Sequence, residues 1–388
     1  MTSAASRLAL VAGFAFLTLP ASAAQLNTGG SDGAYDASFC PALVGQLKLA
    51  QFDYQCTPSS GTRENMQRVL ADPRQLGYGQ LDVFALESRQ LKPDNAFVIA
   101  RQDDLRECVF AVTRNRDIGN YGELAAYADK LRFILPPADS GSAGTFQFLR
   151  SIDPDGLGKA KSVGNAASTE GAIREALSAD DTVTLFVQFA DPDNARFELV
   201  RKLDGHLVPV IDRNILRQEA NGKKVYFAQE TQVENAQWIK QGRKLVTACT
   251  PVVLFTGHPE RVQGEQARKD HEDLIRTVSG LKPGDLLPTE SLFQRLVKRT
   301  KELSAVSTEK LLEATEDARQ KARPYTDKAM EAAKETVEQA KQATERATEA
   351  AKPYIDKSKE AAQKAYDDAM KAAKDLMDKS KSDPPKKN

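Results

Sequence analysis

Apolar residues along this chain fall in short blocks of two kinds. Val183–Phe189, Cys108–Thr113 and Thr250–Phe255 are apolar or β-branched at nearly every position, the pattern of a strand covered on both faces. Shorter runs of the same character predict strands at Asp53–Thr57, Phe97–Arg101, Leu131–Leu135 and Leu207–Ile211. Between them, apolar residues recur every three or four positions in Phe39–Leu49, Arg63–Leu70, Tyr121–Ala128, Ala143–Ile152, Thr169–Leu177, Asn194–Leu203 and His271–Val278. That period predicts helices, and Ser168-Thr169-Glu170 reads as a capped start to one of them. Alternation at this spacing predicts an α/β fold with parallel strands.

Small polar clusters sit where strands end and helices begin: Thr28–Gly33, Thr57–Thr62, Gly77–Asp82, Pro136–Thr145 and Phe189–Asn194. A strand, a Gly/Ser turn and a helix start expose N–H groups and hydroxyls at one edge of a sheet, where open α/β sheets hold ligands. The candidate ligand-binding residues are therefore Gly30, Ser31, Ser60, Thr62, Gln80, Asp82, Ser140, Ser142 and Thr145. The plainer reading is local: Thr62 and Asp82 cap helices, and Gly29–Tyr35 is an ordinary connection. Five such turns in two blocks predict two lobes facing one cleft.

Composition changes after about Gly284. Residues 311–380 are dominated by Ala, Lys, Glu, Asp, Gln and Thr, all compatible with long helix. Ala322-Arg-Pro-Tyr-Thr-Asp-Lys328 recurs as Ala351-Lys-Pro-Tyr-Ile-Asp-Lys357, an offset of about 29 residues and close to eight helical turns. The copies present one face, and Pro324 and Pro353 each start a unit or kink the rod. The stripe on that face is mostly Ala with scattered Tyr325, Met330, Val337, Ile355, Tyr366, Met370 and Leu376. It is too thin for a leucine-type coiled coil or firm membrane insertion, so a contact with another helix or an envelope component is its expected use. Residues 382–388 read as disordered.

The first residues read as an export signal. Arg7 precedes the apolar run Leu8–Leu19, and Ala21-Ser22-Ala23 provides a cleavage site, predicting removal of residues 1–23 and a periplasmic mature chain. Four cysteines in an exported chain predict two disulfides. Three pairings are possible; Cys40–Cys56 and Cys108–Cys249 are favoured, the first because its members are near in sequence and the second because both lie in strand-like runs. The 54 basic and 54 acidic residues cancel, which gives no ground for a nucleic-acid partner. No Ser/His/acid set, metal-ligand spacing or phosphate loop occurs, so no catalysis, metal or cofactor is expected.

Residues 25–280 resemble the TAXI proteins, extracytoplasmic solute-binding subunits associated with one class of TRAP transporters. The resemblance rests on T-G-G-S-D-G-A-Y at 28–35, S-G-T-R-E-N-M-Q-R-V-L at 60–70, Y-G-Q-L-D-V at 78–83, S-G-S-A-G-T at 140–145 and F-A-D-P at 189–192. It implies a type II periplasmic-binding fold, with lobe 1 at 24–118 plus 213–286, lobe 2 at 119–212, and a helical tail at 287–381. Crossings between lobes would fall near Arg114–Tyr121 and Asp212–Tyr226. The implied function is capture of a small polar solute between closing lobes and its delivery to a TRAP-type membrane permease. The alternative is a ligand-presenting sensor, or an envelope interaction or stress protein working through its tail, which resembles late-embryogenesis-type helical repeats. Two positions depart from the family: Asp32 stands where Gly is usual, and Ala190-Asp191 replaces a glycine-rich turn. A carboxylate there disfavours an anion and suits a cation or a hydroxyl-rich ligand.

Overall fold

The computed structural model describes residues 23–31, 33–91, 95–220, 222–236, 242–282, 286, 301–302 and 304–382. Residues 1–22 of the predicted signal, Asp32 and residues 383–388 of the predicted end lie outside them. The strands are β1 (Ala24–Asn27), β2 (Tyr54–Thr57), β3 (Leu76–Gln80), β4 (Phe97–Thr113), β5 (Arg132–Leu135), β6 (Ser162–Asn165), β7 (Thr182–Gln188), β8 (His206–Pro209), β9 (Glu219–Ala220), β10 (Lys223–Lys224), β11 (Phe227–Gln232), β12 (Lys244–Gly257) and β13 (Lys301–Glu302). The helices are α1 (Cys40–Leu49), α2 (Thr62–Ala71), α3 (Leu81–Gln90), α4 (Tyr121–Ala126), α5 (Gly141–Ile152), α6 (Thr169–Ala176), α7 (Ala195–Lys202), α8 (Arg213–Leu216), α9 (Glu265–Gly280) and α10 (Ala305–Ser382).

The main sheet runs β2-β1-β3-β12-β4-β7-β5-β6, with β11 beside β12 and β8 beside β4. Its two ends are parallel, β1 with β2 and β3, and β5 with β6 and β7. Its centre is antiparallel, because β12 and β4 run against their neighbours on both sides. The architecture is thus mixed α/β, where alternation alone predicts parallel strands throughout. Phe97–Arg101 and Cys108–Thr113, expected as separate strands, are the two ends of one 17-residue strand. The polar stretch between them breaks the hydrophobic pattern and bulges: Gln102 and Arg106 pair with Val253 and Pro251 of β12, and residues 103–105 have no partner in that register, so a long partner spans a local interruption. These two long strands, rather than the segments 114–121 and 212–226, carry the chain continuously through the centre of the sheet. In the second segment Asp212 caps the short α8 by accepting from Ile215 N–H at 2.7 Å.

Both disulfides form with the favoured pairing. Cys40–Cys56 ties α1 to β2, and Cys108–Cys249 joins directly opposed residues of β4 and β12 across 141 residues of sequence. Apolar clusters cover both sheet faces, one including Val109, Ala111, Val253 and Phe255, the other Tyr78, Leu105, Val252 and Leu254.

The chain forms two compact units, residues up to Ala322 and residues from Arg323 onward. The long helix α10 begins in the first and forms the second as one helical element through positions 324 and 353. Its first turns belong to the first unit. Leu312 packs with Ile211 and Ala228, and Arg319 reaches the buried Asp153 at 2.7 Å, which also accepts from Tyr121 Oη at 2.8 Å. A Cβ on Gly122 would lie 2.1 Å from the Thr315 carbonyl, so α4 and α10 meet at a distance only glycine permits. In the second unit Val337, Tyr366 and Met370 are exposed.

Candidate functional site

Two helix starts, about eighty residues apart in sequence, touch each other. The first is α2. Ser60 donates its N–H and its hydroxyl to the Glu64 carboxylate at 2.8 and 2.7 Å, so an acid of the first turn reaches back to a residue before the helix. These bonds hold the Glu64 carboxyl below its ordinary range, with Arg68 pairing on its other oxygen. Thr62 is buried, and its hydroxyl accepts the Gln80 N–H at 3.2 Å, pinning the start of α2 to the end of β3.

The second helix start is α5. Ser140 caps it by accepting the Ala143 N–H at 3.3 Å, and the Ser142 hydroxyl accepts the Val187 N–H of β7 at 3.0 Å. Gly61, with φ of 137°, leads into α2, and a Cβ there would stand 3.3 Å from the Gly141 nitrogen. That backbone conformation is open to glycine and strained for other residues. A Cβ on Gly141 would in turn meet Gln80 Oε1 at 2.2 Å. Turns from the β3 and β5 sides of the sheet therefore close on the Gln80 side chain.

Below this contact lie two buried acids. Asp82 starts α3 and has every acceptor committed: Oδ2 takes Thr145 Oγ1 at 2.6 Å and Tyr226 Oη at 2.7 Å, and Oδ1 takes Val83 N–H at 2.8 Å. Burial raises its pKa, against the pull of those bonds. Glu107, on β4, is built differently. Tyr35 Oη at 2.9 Å and Gln80 Nε2 at 2.7 Å both donate to Oε2, and Oε1 receives no hydrogen bond among the described residues. Burial raises the Glu107 carboxyl to about 7, opposed by the bonds from Gln80 and Tyr35. The same burial, with Glu107 beside it, raises the Tyr35 phenol well above its usual value.

Tyr35 stacks on Tyr78 at 5.4 Å between ring centres and meets Phe189 edge-on at 6.3 Å. Phe189 follows the end of β7, and the preceding residue, Gln188, is buried with its Nε2 unpartnered. Gln80 Oε1 is likewise buried without a partner. Its orientation is fixed chemically: the Glu107 carboxylate accepts only, so the Gln80 NH₂ faces it and the carbonyl points away. Buried polar atoms in folded proteins are normally paired. Of these two exceptions, Gln80 bonds Glu107 directly, whereas Gln188 is paired with Cys108 and so shares the opposite sheet face.

The nine sequence candidates divide by environment. Ser60, Thr62, Gln80 and Ser140 stand at the contact between the helix starts. Ser142, Thr145 and Asp82 lie deeper, bonded to protein partners. Gly30 and Ser31 are exposed on a turn closed by Gly33 N–H to the Gly30 carbonyl at 2.8 Å. Glu107, Tyr35 and Gln188 were not among the candidates. Glu107 is a lone acid at the head of an apolar strand, and its inward direction follows from pairing with Thr250, which the strand's own sequence does not specify. Among the described residues no group of three His, Cys, Asp or Glu is placed to hold a metal ion. Nor is any described helix long and apolar enough to cross a membrane.

No protein-family profile matches the chain. No curated protein matches it either. Solved structures similar to it include R. palustris Rpa4515 with adipate, at 12% identity over 78% of this chain and 96% of that one, with a TM-score of 0.40. PhnD1 from Prochlorococcus marinus, in complex with methylphosphonate, is 13% identical over 75% of this chain and 96% of that one, with a TM-score of 0.42. MatC from Rhodopseudomonas palustris, with bound malate, is 12% identical over 79% and 99% respectively, with a TM-score of 0.40. At these scores the likeness adds no argument to the sheet order and contacts above. What the molecule itself displays is a mixed α/β unit with two helix starts closed over a buried, incompletely bonded glutamate.

Proposed function

We propose that this chain is an extracytoplasmic solute-binding protein. A small polar molecule enters between the turns at Ser60–Thr62 and Ser140–Ser142, the lobes at 24–118 plus 213–286 and at 119–212 close on it, and the loaded protein docks on a TRAP-type membrane permease. One observation carries the reading: the α2 and α5 starts meet over Gln80 and Glu107, where the buried Gln80 Oε1 lacks a partner and both hydrogen bonds to Glu107 fall on Oε2. A site that is polar, desolvated and incompletely paired is suited to a ligand that completes it. Two disulfides suit an oxidising, extracytoplasmic setting, and the predicted signal at 1–23 supplies the route. No catalytic step is assigned to these residues.

The test is mass spectrometry of small molecules released on denaturing protein purified from its native envelope. A single polar solute near one equivalent is the expected result. Protein that is empty when isolated, and whose melting temperature is unmoved by any of a broad panel of polar metabolites, would overturn the reading.

A second role for α10 is favoured by one observation, the exposure of Val337 and Tyr366 at the repeat offset. Truncation after Ala322 separates the roles: solute binding persists, and any phenotype that disappears belongs to the rod.

A further inference from the structure

Around the contact of α2 and α5, the free valences nearest Gln80 are acceptors. Glu107 Oε1 has no donor among the described residues, because Tyr35 and Gln80 both bond to Oε2. Gln80 Oε1 is buried and unpartnered, and the accepting Glu107 beneath it fixes its direction. Three arginines of α2 and α7 are already paired with acids. Arg63 pairs with Glu87 at 2.7 Å, Arg68 with Glu64, and Arg196 with Glu170 at 2.8 Å. An anion placed beside Glu107 would meet a carboxylate with no unpaired cation from these three residues to offset it, which a desolvated site penalises heavily. A donor-bearing cation meets two acceptors and a full charge, the strong form of hydrogen bond.

We propose that the captured solute is an organic amine, its ammonium group held between Glu107 Oε1 and Gln80 Oε1. Tyr35, stacked on Tyr78, donates to the other oxygen of the same acid, and an aromatic ring beside an acid suits the carbon atoms next to an ammonium. This deepens the solute-binding reading and rests on it.

The test is isothermal titration of the mature, disulfide-bonded full chain at pH 8 with 1,4-diaminobutane and ethanolamine, set against adipate, malate and methylphosphonate. An amine is expected to bind and the three anions to give no heat. Glu107→Gln keeps the shape and the Gln80 contact, and is expected to weaken amine binding at least tenfold. Tyr35→Phe removes one bond on Oε2 and leaves Oε1 in place, so its loss is expected to be only a few-fold. Binding of an anion without an amine, or amine binding untouched by Glu107→Gln, overturns the assignment while leaving a solute-binding protein. Heat from neither class, together with an empty protein from the native envelope, removes both.

Discussion

Asp82 and Glu107 are acids buried on either side of the same helix start, and they differ in what their oxygens touch. Asp82 is enclosed: a threonine from α5, the Tyr226 hydroxyl and the N–H of Val83 occupy its acceptors. Those bonds stitch α3 to α5 and to the segment before β11, so this carboxylate serves the fold. Glu107 has both of its bonds on one oxygen. Burial is common to the two and does not separate a structural acid from a binding one; the count of unfilled acceptors does.

The largest effect expected from that contrast is on stability. Asp82→Ala strips two buried hydroxyls of their acceptor and is expected to cost roughly 3–5 kcal/mol in urea unfolding. A cost under about 1 kcal/mol would show that Asp82 is not the structural member of the pair.

Acid–base behaviour gives the next effect. The folded Glu107 carboxyl is raised to about 7 from an ordinary 4.5, so the folded state binds a proton more tightly than the unfolded chain. Its favourable contribution is therefore complete below about pH 4 and is lost as pH rises through 7. The full span is up to about 3 kcal/mol. The charged and titratable groups around it are Asp82, which opposes its ionisation, and Arg196 and Tyr35, whose charge and donated hydrogen bond respectively favour ionisation. Unfolding of the ligand-free protein at pH 5 and pH 8 is expected to differ less in Glu107→Gln than in the wild type, with the variant more stable at pH 8. Identical pH profiles would place Glu107 in contact with water.

Arg319→Ala tests the root of α10. It leaves the Asp153 carboxylate, which is 7% exposed, with Tyr121 as its one remaining side-chain partner among the described residues, and is expected to cost about 2 kcal/mol by denaturant melt. The smallest effect is expected from a stop after Ala322. Residues 323–382 form their own unit, so the first unit's midpoint should move by less than about 0.5 kcal/mol. A stop near Leu286, by contrast, would also remove Leu312, Thr315 and Arg319, which are buried or half-buried in the first unit.

Local chemistry was legible in the sequence wherever it repeats a local rule. The Ser168 cap, the apolar β7, the Cys40–Cys56 pair and, to within two residues, the helix starts of α2 and α5 follow from neighbours along the chain. The long β4 was not legible, because Gln102-Asp103-Asp104 breaks the strand pattern, and pairing with β12 resumes on both sides of the bulge at 103–105. The short β6 has too few residues to show a period, and β11, between β12 and β13, carries the polar run Gln229–Gln232. In the site, turn residues announced themselves by glycine and hydroxyl content, but their depth did not. Asp82 and Thr145 find each other across 63 residues, and Glu107 turns inward through long-range register. Tyr35 lay just past a glycine cluster, where sequence offered no reason to aim its hydroxyl at β4.

The most direct test is hydrogen exchange of the full chain with and without the small-molecule fraction of its native host. The account predicts slowed exchange confined to the first turns of α2 and α5 and to the β3–α3 junction at Gln80, with α10 unchanged. Slowing that falls along residues 323–382 instead, or no slowing at the two helix starts, would contradict it.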